Sequence, residues 1–264
     1  PLPRPEASGK RDLIVSLTSY PARFSTLHLT LQSLALQSVK ADLIILWVAH
    51  EHLDLLPERV LKLEKGKIQI RACEDLRSYK KIIPALTCFP DADIVTADDD
   101  VWYWRNWLQE LLMTAKEYPN DVVAHRVREI SFDGTHILPY LNWRNVHATE
   151  TSSQNLFAIG SGGILYPAGC LHADTVRSDL FNDLCPLADD IWLYWMTRLA
   201  GSSVRHTGSQ RKIHTWPDSQ AVALWQKNKT RNDDQVKAMV GHYGLPALTT
   251  NYPNSRTTDQ FQPS

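Results

Sequence analysis

The chain has 264 residues, and its 28 lysines and arginines nearly balance its 29 aspartates and glutamates, for a formal net charge of −1. Its 43% hydrophobic and 22% charged residues are typical of a globular protein and exclude a disordered or fibrous one. The balanced charge gives no general attraction to nucleic acid, so no nucleic-acid partner is expected, and no apolar run reaches the roughly 18 residues of a membrane span.

The first half of the chain alternates strand and helix patterns. Short apolar runs rich in β-branched residues predict four strands, over Leu13–Thr18, Leu43–Val48, Lys67–Ala72 and Asp93–Ala97. Apolar residues at helical spacing predict the helices between and after them, over 27–35 behind a cap at Ser25 or Thr26, Pro57–Glu64, Ser78–Leu86 and Asn106–Tyr118. Strands separated by helices pair in parallel, so we predict the α/β fold class with a mostly parallel sheet flanked by helices.

The second half of the chain has shorter and more polar segments. Val122–His125 and Ile130–Ile137 predict an antiparallel hairpin with Asp133-Gly134 at its turn. A longer apolar pattern predicts a helix over Leu187–Ala200 that ends at Gly201. We therefore expect a smaller antiparallel element beside the main sheet.

Three consecutive carboxylates, Asp98, Asp99 and Asp100, follow the predicted strand that ends at Ala97. Parallel sheets bind ligands beyond the carboxyl ends of their strands, which makes this position a candidate site. Adjacent carboxylates repel one another unless a cation or basic groups compensate. Carboxylate oxygens are ligands for Mg²⁺ or Mn²⁺, and such an ion can hold a diphosphate. The alternative is an acidic turn in solvent that caps the next helix.

The order and spacing of these features resemble the metal-dependent GT-A glycosyltransferases, in particular the bacterial family-2-like enzymes that build surface polysaccharides such as capsule and lipopolysaccharide. The resemblance rests on the turn SLTSYPAR at Ser16–Arg23, on Asp98–Asp100 as a DxD motif, and on Asp189-Asp190 opening a helix that ends at Gly201. It covers roughly residues 12–206. The chain departs from that family in having Asp-Asp where Glu-Asp is usual and Met196 where arginine is common.

The resemblance implies a metal-dependent, inverting hexosyltransferase that moves a sugar from a nucleotide donor, most simply UDP-linked, to a hydroxyl of a growing bacterial glycan or glycolipid. The chemistry of that reaction agrees with the residues. A divalent ion neutralises the departing diphosphate, a carboxylate deprotonates the acceptor hydroxyl, and a closed pocket limits hydrolysis. Such an enzyme acts in the cytoplasm, including at the inner face of the membrane as a peripheral protein.

The resemblance also implies roles for the acidic residues. Asp98 and Asp100 would bind Mn²⁺ or Mg²⁺, with His214 as a further ligand, and Asp99 would orient the ribose or the donor sugar. Asp190 would be the catalytic base and Asp189 its orienting neighbour or an acceptor contact. The structural alternative for these two aspartates is a favourable interaction with the dipole of a helix amino terminus.

A further set of residues is expected to contact the nucleotide sugar. Its members follow the first and third strands or belong to the segment GSGG at 160–163: Thr18, Tyr20, Arg23, Asp75, Lys80, Gly162 and Gly163. Ordinary turn residues and an exposed helix start are the alternatives for the residues after the strands. The segment Asn232–Gln235 is expected to begin a helix, with closure over the site as the other interpretation.

The predicted domain organisation follows from these assignments. Residues 1–11 are expected to be a linker and 245–264 a carboxyl-terminal tail around one catalytic domain, 12–244. Within it, 12–105 would bind the nucleotide and 106–244 would receive the acceptor. Two other functions remain open. A sugar-nucleotide nucleotidyltransferase would carry a glycine-rich basic loop after the first strand, where this chain has the glycine-free TSYPARFS. A non-catalytic glycan-binding module would use some of the nine tryptophans.

Overall fold

The computed structural model describes residues 11–134, 136–146, 155–217 and 231–246. The predicted linker, except residue 11, and all but two residues of the predicted tail lie outside the described residues. The structure confirms the predicted fold class, because a seven-stranded, mostly parallel sheet is flanked by helices and accompanied by smaller antiparallel sheets. None of the described helices is both long and apolar enough to cross a bilayer.

The strands of the described residues are short. In chain order they are β1 (Leu13–Thr18), β2 (Leu43–Ala49), β3 (Ile68–Cys73), β4 (Asp93–Ala97), β5 (Val101–Trp102), β6 (Val122–Ala124), β7 (Val127–Glu129), β8 (Phe132–Asp133), β9 (His136–Ile137), β10 (Arg144–Asn145), β11 (Leu156–Ala158), β12 (Ile164–Tyr166), β13 (Val204–His206) and β14 (His214–Thr215). The α-helices are α1 (Phe24–Ala35), α2 (Glu58–Leu61), α3 (Ile83–Cys88), α4 (Trp107–Glu117), α5 (Ser178–Leu184), α6 (Asp189–Leu199) and α7 (Asn232–Tyr243).

The central sheet has the order β13-β6-β12-β4-β1-β2-β3. Strand β1 is parallel to β2 and β4, with Leu17 beside both Leu46 and Ala97. The loops after β1 and β4 therefore leave the sheet at the same edge. Strand β12 is antiparallel to β4, with Ile164 beside Thr96, so the glycine-rich segment before β12 enters the sheet at that edge as well. The sheet thus brings three separate loops together.

Helices cover both faces of the sheet. Along β1, Leu13, Val15 and Leu17 pack into a cluster that includes residues of α1, α2 and α4, whereas Ile14 packs with Ala85 of α3 on the other face. This alternation is the two-residue period of a strand that is buried on both sides. Strands β1 and β4 coincide with their predicted bounds because their apolar runs are continuous.

Two predicted helices in the first half differ from the structure. The cap at Ser25 or Thr26 was wrong, because α1 begins at Phe24 directly after a 3-10 turn at Pro21–Arg23 and has no side-chain cap. The predicted helix Ser78–Leu86 is divided into a 3-10 helix at Arg77–Lys81 and the helix α3. Proline has no N–H to donate, so Pro84 is suited to the first turn of α3, where that donor is not needed.

The second half contains the expected antiparallel element, but its strands pair differently. A small hairpin, β8–β9, turns at Gly134, where φ is +58°. The predicted strand at Val122–His125 is not its partner, because β6 joins the central sheet between β12 and β13. A separate antiparallel sheet has the order β10-β7-β11. The patterns at β7, β11 and β13 were missed because three-residue strands are too short to show a period.

Candidate active site

A cleft of about 740 Å³ opens at the edge of the sheet where β1 and β4 end. Most of the residues predicted from sequence line it: Thr18, Tyr20, Arg23, Asp75, Lys80, Asp98, Asp99, Asp100, Asp189 and Asp190. Thr18 is the last residue of β1, the next seven follow β1, β3 and β4, and the last two open α6. One concave surface therefore joins the acidic triplet to the acidic pair.

Basic and hydroxyl groups of the protein partly compensate the acidic triplet. Arg23 lies under α1 with its guanidinium in a close ion pair with Asp100, and its Nη1 is 3.5 Å from Oδ1 of Asp99. Ser19 donates a hydrogen bond of 2.5 Å to Oδ2 of Asp99. These contacts hold the turn after β1 against the turn after β4.

Burial still disfavours negative charge in this triplet. It raises the pKa of Asp99 to about 7, although the Ser19 hydroxyl and the Arg23 charge act in the opposite direction. Burial and the neighbouring charge of Asp98 also raise the pKa of Asp100. A group of carboxyls in this state favours an additional cation, because positive charge nearby stabilises the ionised form.

Lys81 connects the triplet to the amino terminus of α6. Its buried Nζ lies 3.3 Å from Oδ1 of Asp98 and 3.0 Å from Oδ2 of Asp189. Burial by itself would lower the pKa of Lys81, but the charges of Asp189, Asp98 and Asp190 hold it well above its usual value. The adjacent Lys80, which the sequence indicated, is buried as well but pairs with Asp75. Lys81 was missed because a run of two lysines does not indicate which one contacts the acidic residues.

Asp190 is held in place by the backbone of the glycine-rich segment. The Gly160 N–H donates a 3.0 Å hydrogen bond to Oδ2 of Asp190. The other oxygen, Oδ1, is buried and accepts no hydrogen bond from the described residues. Burial and the charge of Asp189 raise the pKa of Asp190 to about 7. A carboxyl with such a pKa gains and loses its proton near neutral pH, which is a property of general bases.

The position of Gly160 explains why this segment contains glycine. A Cβ atom at residue 160 would lie 2.8 Å from Oδ1 of Asp190 and 2.9 Å from Nζ of Lys81. These distances are shorter than van der Waals contact, so a larger residue would displace one of the two charged groups. Gly160 lines the cleft and was not selected from the sequence, although its segment was.

Gly162 and Gly163, which were selected, do not line the cleft. Both have positive φ, +132° and +97°, and a Cβ at Gly163 would lie 2.4 Å from the ring of Trp107. Trp107 also donates a 2.6 Å hydrogen bond from Nε1 to the carbonyl of Gly162. These two glycines let the chain pass the tryptophan closely, and their contact with a nucleotide sugar stays a prediction.

The wall of the cleft after β1 and β3 carries the other expected nucleotide contacts. The Thr18 hydroxyl donates to the carbonyl of Trp47 at 2.9 Å, which ties the end of β1 to β2. Lys80 forms a close ion pair with Asp75. Burial would raise the pKa of Asp75, but the Lys80 ammonium holds it below its usual value.

The opposite wall comes from the second half of the chain. Its side chains that line the cleft include Arg126, Arg128, Tyr140, Phe157, Ile159 and Asn232. Asn232 opens α7, as the sequence indicated for a helix start. The others were not selected, because no motif marks them and the strands that carry them were not predicted.

His214 is outside the cleft that the acidic triplet lines. It is exposed on β14, beside Trp102 of β5, and the two ring centroids are 6.4 Å apart. The described residues contain no group of three or more histidines, cysteines, aspartates or glutamates placed to hold a metal ion. His214 does not line the cleft, and its role as a ligand stays a prediction.

The oxygen donors at the cleft nevertheless fit one kind of metal binding. Mg²⁺, and ions with similar preferences, are commonly held by one or two carboxylates together with phosphate oxygens of a bound ligand. Asp98 and Asp100 can supply those carboxylates, although each is also near a basic side chain. The site therefore fits a cation that is completed by a ligand and does not fit a cage built by the protein alone.

Comparison with solved structures gives distant similarities. The chain is similar to a 4-diphosphocytidyl-2C-methyl-D-erythritol synthase, at 13% identity and TM-score 0.47, over 81% of this chain and 98% of that one. The corresponding synthase from Anaerococcus prevotii is 12% identical with a TM-score of 0.49, over 84% of this chain and 96% of that one. S. aureus TarS 1-349 is 12% identical with a TM-score of 0.48, over 88% of this chain and 72% of that one. No protein-family model and no curated protein sequence matches the chain. Similarity at this level assigns neither a family nor an activity.

Proposed function

We propose that this protein is a glycosyltransferase of the GT-A type. It would move a hexosyl group from a nucleotide sugar, most simply a UDP-sugar, to a hydroxyl of a glycan or glycolipid. The observation that carries the proposal is the meeting of two acidic elements in one cleft. The triplet after β4 and the pair that opens α6 face each other across Lys81, at the edge of the sheet where the parallel strands end.

The acidic triplet supports binding of the nucleotide diphosphate. A Mn²⁺ or Mg²⁺ ion held by Asp98 and Asp100 would neutralise the charge of the departing diphosphate. The protein's own contribution is to hold these carboxylates in place through Arg23 and Lys81. The residues after β1 and β3 form the adjoining wall, where the nucleoside would lie.

Asp190 supports the acceptor half of the reaction. Its raised pKa suits removal of a proton from the acceptor hydroxyl, and Gly160 fixes the orientation of its carboxyl group. Asp189 is held by Lys81 and would orient the base or contact the acceptor. A base on the acceptor wall, across the donor sugar from the diphosphate, would produce inversion at the anomeric carbon.

The other two functions find less support at this site. A nucleotidyltransferase needs free basic and backbone donors for a triphosphate after the first strand. Here the turn has no glycine, and Arg23 is engaged by Asp99 and Asp100. A glycan-binding module would present tryptophan faces, but no tryptophan of the described residues lines this cleft.

The deciding experiment measures the products formed from a panel of nucleotide sugars with Mn²⁺ and glycan acceptors. We expect release of a nucleoside diphosphate, and a loss of at least about a hundredfold in the Asp100→Asn and Asp190→Asn variants. Asp179→Asn is the matched control, since Asp179 is exposed on α5 outside the cleft. Release of pyrophosphate, or unchanged transfer by both folded variants, contradicts the proposal.

A further inference from the structure

We propose that Arg126 and Arg128 form an anion-binding subsite on the acceptor wall, so that the acceptor carries a carboxylate or phosphate group close to the hydroxyl that receives the sugar. The identification of the ligand as the sugar acceptor rests on the proposed function, whereas the anion-binding subsite rests only on the placement of the two arginine side chains.

The two arginines lie at one strand of the small antiparallel sheet. Arg128 lies within β7, Arg126 is in the bend that immediately precedes it, and both side chains line the cleft. Phe157 of β11 is directly opposite Arg128, and the N–H of Ile159 donates to the carbonyl of Arg126 at 2.9 Å. All four side chains line the cleft. The wall therefore presents two guanidinium groups beside an apolar surface.

Neutral groups hold both guanidinium groups in position. Arg126 donates from Nη1 to the Ser161 hydroxyl at 2.6 Å. Arg128 lies over the ring of Tyr140, 5.1 Å from its centroid, and donates to the Tyr140 carbonyl at 3.4 Å. Within the described part of the chain, no carboxylate forms an ion pair with Arg126. By this arrangement the side chains are oriented before any ligand binds.

Three other basic groups of the cleft have carboxylate partners. Arg23 pairs with Asp100, Lys80 with Asp75, and Lys81 with Asp98 and Asp189. Arg126, in contrast, has Arg128 as a charged neighbour, and burial followed by that like charge lowers the pKa of Arg126. Two fixed positive charges repel each other, and an anion bound between them would relieve the repulsion. Guanidinium groups suit the paired oxygens of carboxylate and phosphate.

The position of the pair favours the acceptor over the donor. Arg126 follows β6, which is separated from β1 in the sheet by β12 and β4. The expected nucleotide wall follows β1 and β3 at the other end of the cleft. Arg126 also lies close enough to Asp98 and to Asp190 for both charges to act against the lowering of its pKa. An anion held here would be next to the proposed base.

The test is calorimetric titration of the folded protein with UDP and Mn²⁺ present. The ligands are methyl β-D-glucuronide and glucose 6-phosphate, with the neutral methyl β-D-glucoside as their reference. The proteins are wild type, Arg126→Gln, Arg128→Gln, the double variant, and Arg59→Gln, an exposed arginine on α2 outside the cleft that serves as a matched control. Melting temperatures establish that each variant is folded.

We expect at least one anionic ligand to bind more tightly than the glucoside, and the double variant to weaken that binding by at least about tenfold. Binding of the glucoside and of UDP should stay within about twofold, and Arg59→Gln should match wild type. Equal binding of charged and neutral ligands overturns the proposal. So does a loss confined to UDP, which would assign the arginines to the donor diphosphate. Anion binding through both arginines without any UDP binding would keep the subsite and overturn the proposed function instead.

Discussion

At the scale of a single residue, Asp190 shows how burial changes the pKa of a carboxyl group. In water its proton would dissociate near pH 3.8, whereas burial and the charge of Asp189 raise its pKa to about 7. If Asp190 is the base, it has to be ionised to accept a proton from the acceptor. We therefore expect the transfer rate to rise with pH up to about 7 and then to level off, in a pH–rate profile measured at saturating Mn²⁺. A rate that is already maximal at pH 5 would contradict this role.

The same shift predicts a pH-dependent effect on stability. Between about pH 4 and pH 7 the folded chain keeps a proton on Asp190 that the unfolded chain has lost, so this group's contribution to stability declines as pH rises through that interval. Asp190→Asn removes the buried charge. We expect the difference between its melting temperature and that of wild type, in metal-free buffer, to increase in favour of the variant by about 3 °C or more between pH 5 and pH 8. The melting temperature of the exposed control variant Asp179→Asn should differ from that of wild type by the same small amount at pH 5 and at pH 8. An equal change in melting temperature for Asp190→Asn at the two pH values would contradict the raised pKa.

Gly160 gives a second prediction at this scale. Alanine at this position would place its Cβ within 3 Å of both Asp190 and Lys81. We expect Gly160→Ala to cost about 1–3 kcal/mol in the free energy of unfolding and to reduce transfer by at least about tenfold, because one charged group has to move. Chemical denaturation and initial rates measure the two effects. Gly241→Ala is the control, since Gly241 lies in α7 with no atom near its missing side chain; a Gly160→Ala protein as stable and active as that control would contradict the argument.

At the scale of elements, Lys81 joins the end of β4 to the start of α6. Each of these termini carries carboxylates that would repel those of the other, and a single buried ammonium contacts both. The connection depends on the break at Ile82, which ends the 3-10 helix Arg77–Lys81 and begins α3. A continuous helix through this region, as its periodicity predicted, would have turned the side chains of 78–81 differently.

We expect Lys81→Met to destabilise the fold by about 3–5 kcal/mol at neutral pH, because it leaves buried carboxylates without their cation. Lys80→Met is the matched comparison. Its partner Asp75 is 42% exposed and can be solvated, so the cost should be smaller. Denaturation of both variants at pH 7 and pH 5 measures the difference, which should shrink at the lower pH because Asp190, whose charge also acts on Lys81, gains a proton. Equal stability of the two variants at pH 7 would mean that Lys81 does not join these elements.

At the scale of the whole molecule, both halves of the chain line the cleft, and we propose that the first binds the nucleotide and the second the acceptor. Because the described residues provide no three-donor metal group, we expect Mn²⁺ alone to raise the melting temperature little. UDP with Mn²⁺ should raise it by about 5–10 °C at a hundred times the dissociation constant.

This shift should disappear with a chelator and in Asp100→Asn, as measured by thermal denaturation of the apo protein with each addition in turn. The control Asp179→Asn should retain it. A full shift with Mn²⁺ alone would reveal a metal site formed by the protein itself, and a full shift with UDP in the presence of chelator would show that nucleotide binding needs no metal.

Much of the architecture and part of the site could be predicted from the residues in order. Short apolar runs predicted the first and last residues of β1 and β4 as the structure has them. The alternation of strands and helices indicated a parallel sheet. From that followed the position of Asp98–Asp100 at its ligand-binding edge. Asp189 and Asp190 were identified by the resemblance to GT-A glycosyltransferases, which implies an acidic pair that opens a helix, and the structure has them at the start of α6. These features could be predicted because they are local: the spacing of apolar side chains within one segment indicates which face of that strand or helix is buried.

The partners of those residues were decided by tertiary structure. Periodicity shows that a face is covered but not which distant segment covers it. The contact of Gly160 with Asp190 spans 30 positions, and Lys81 meets both Asp98 and Asp189 only because β4 and α6 end at the same cleft. The arginine wall depends on three-residue strands that pair antiparallel, and their register brings Arg126 and Arg128 to face the acidic groups. The sequence by itself determined where the carboxylates stand in the chain, and the folded sheet decided which charges and which backbone atoms surround them, because those neighbours come from distant segments.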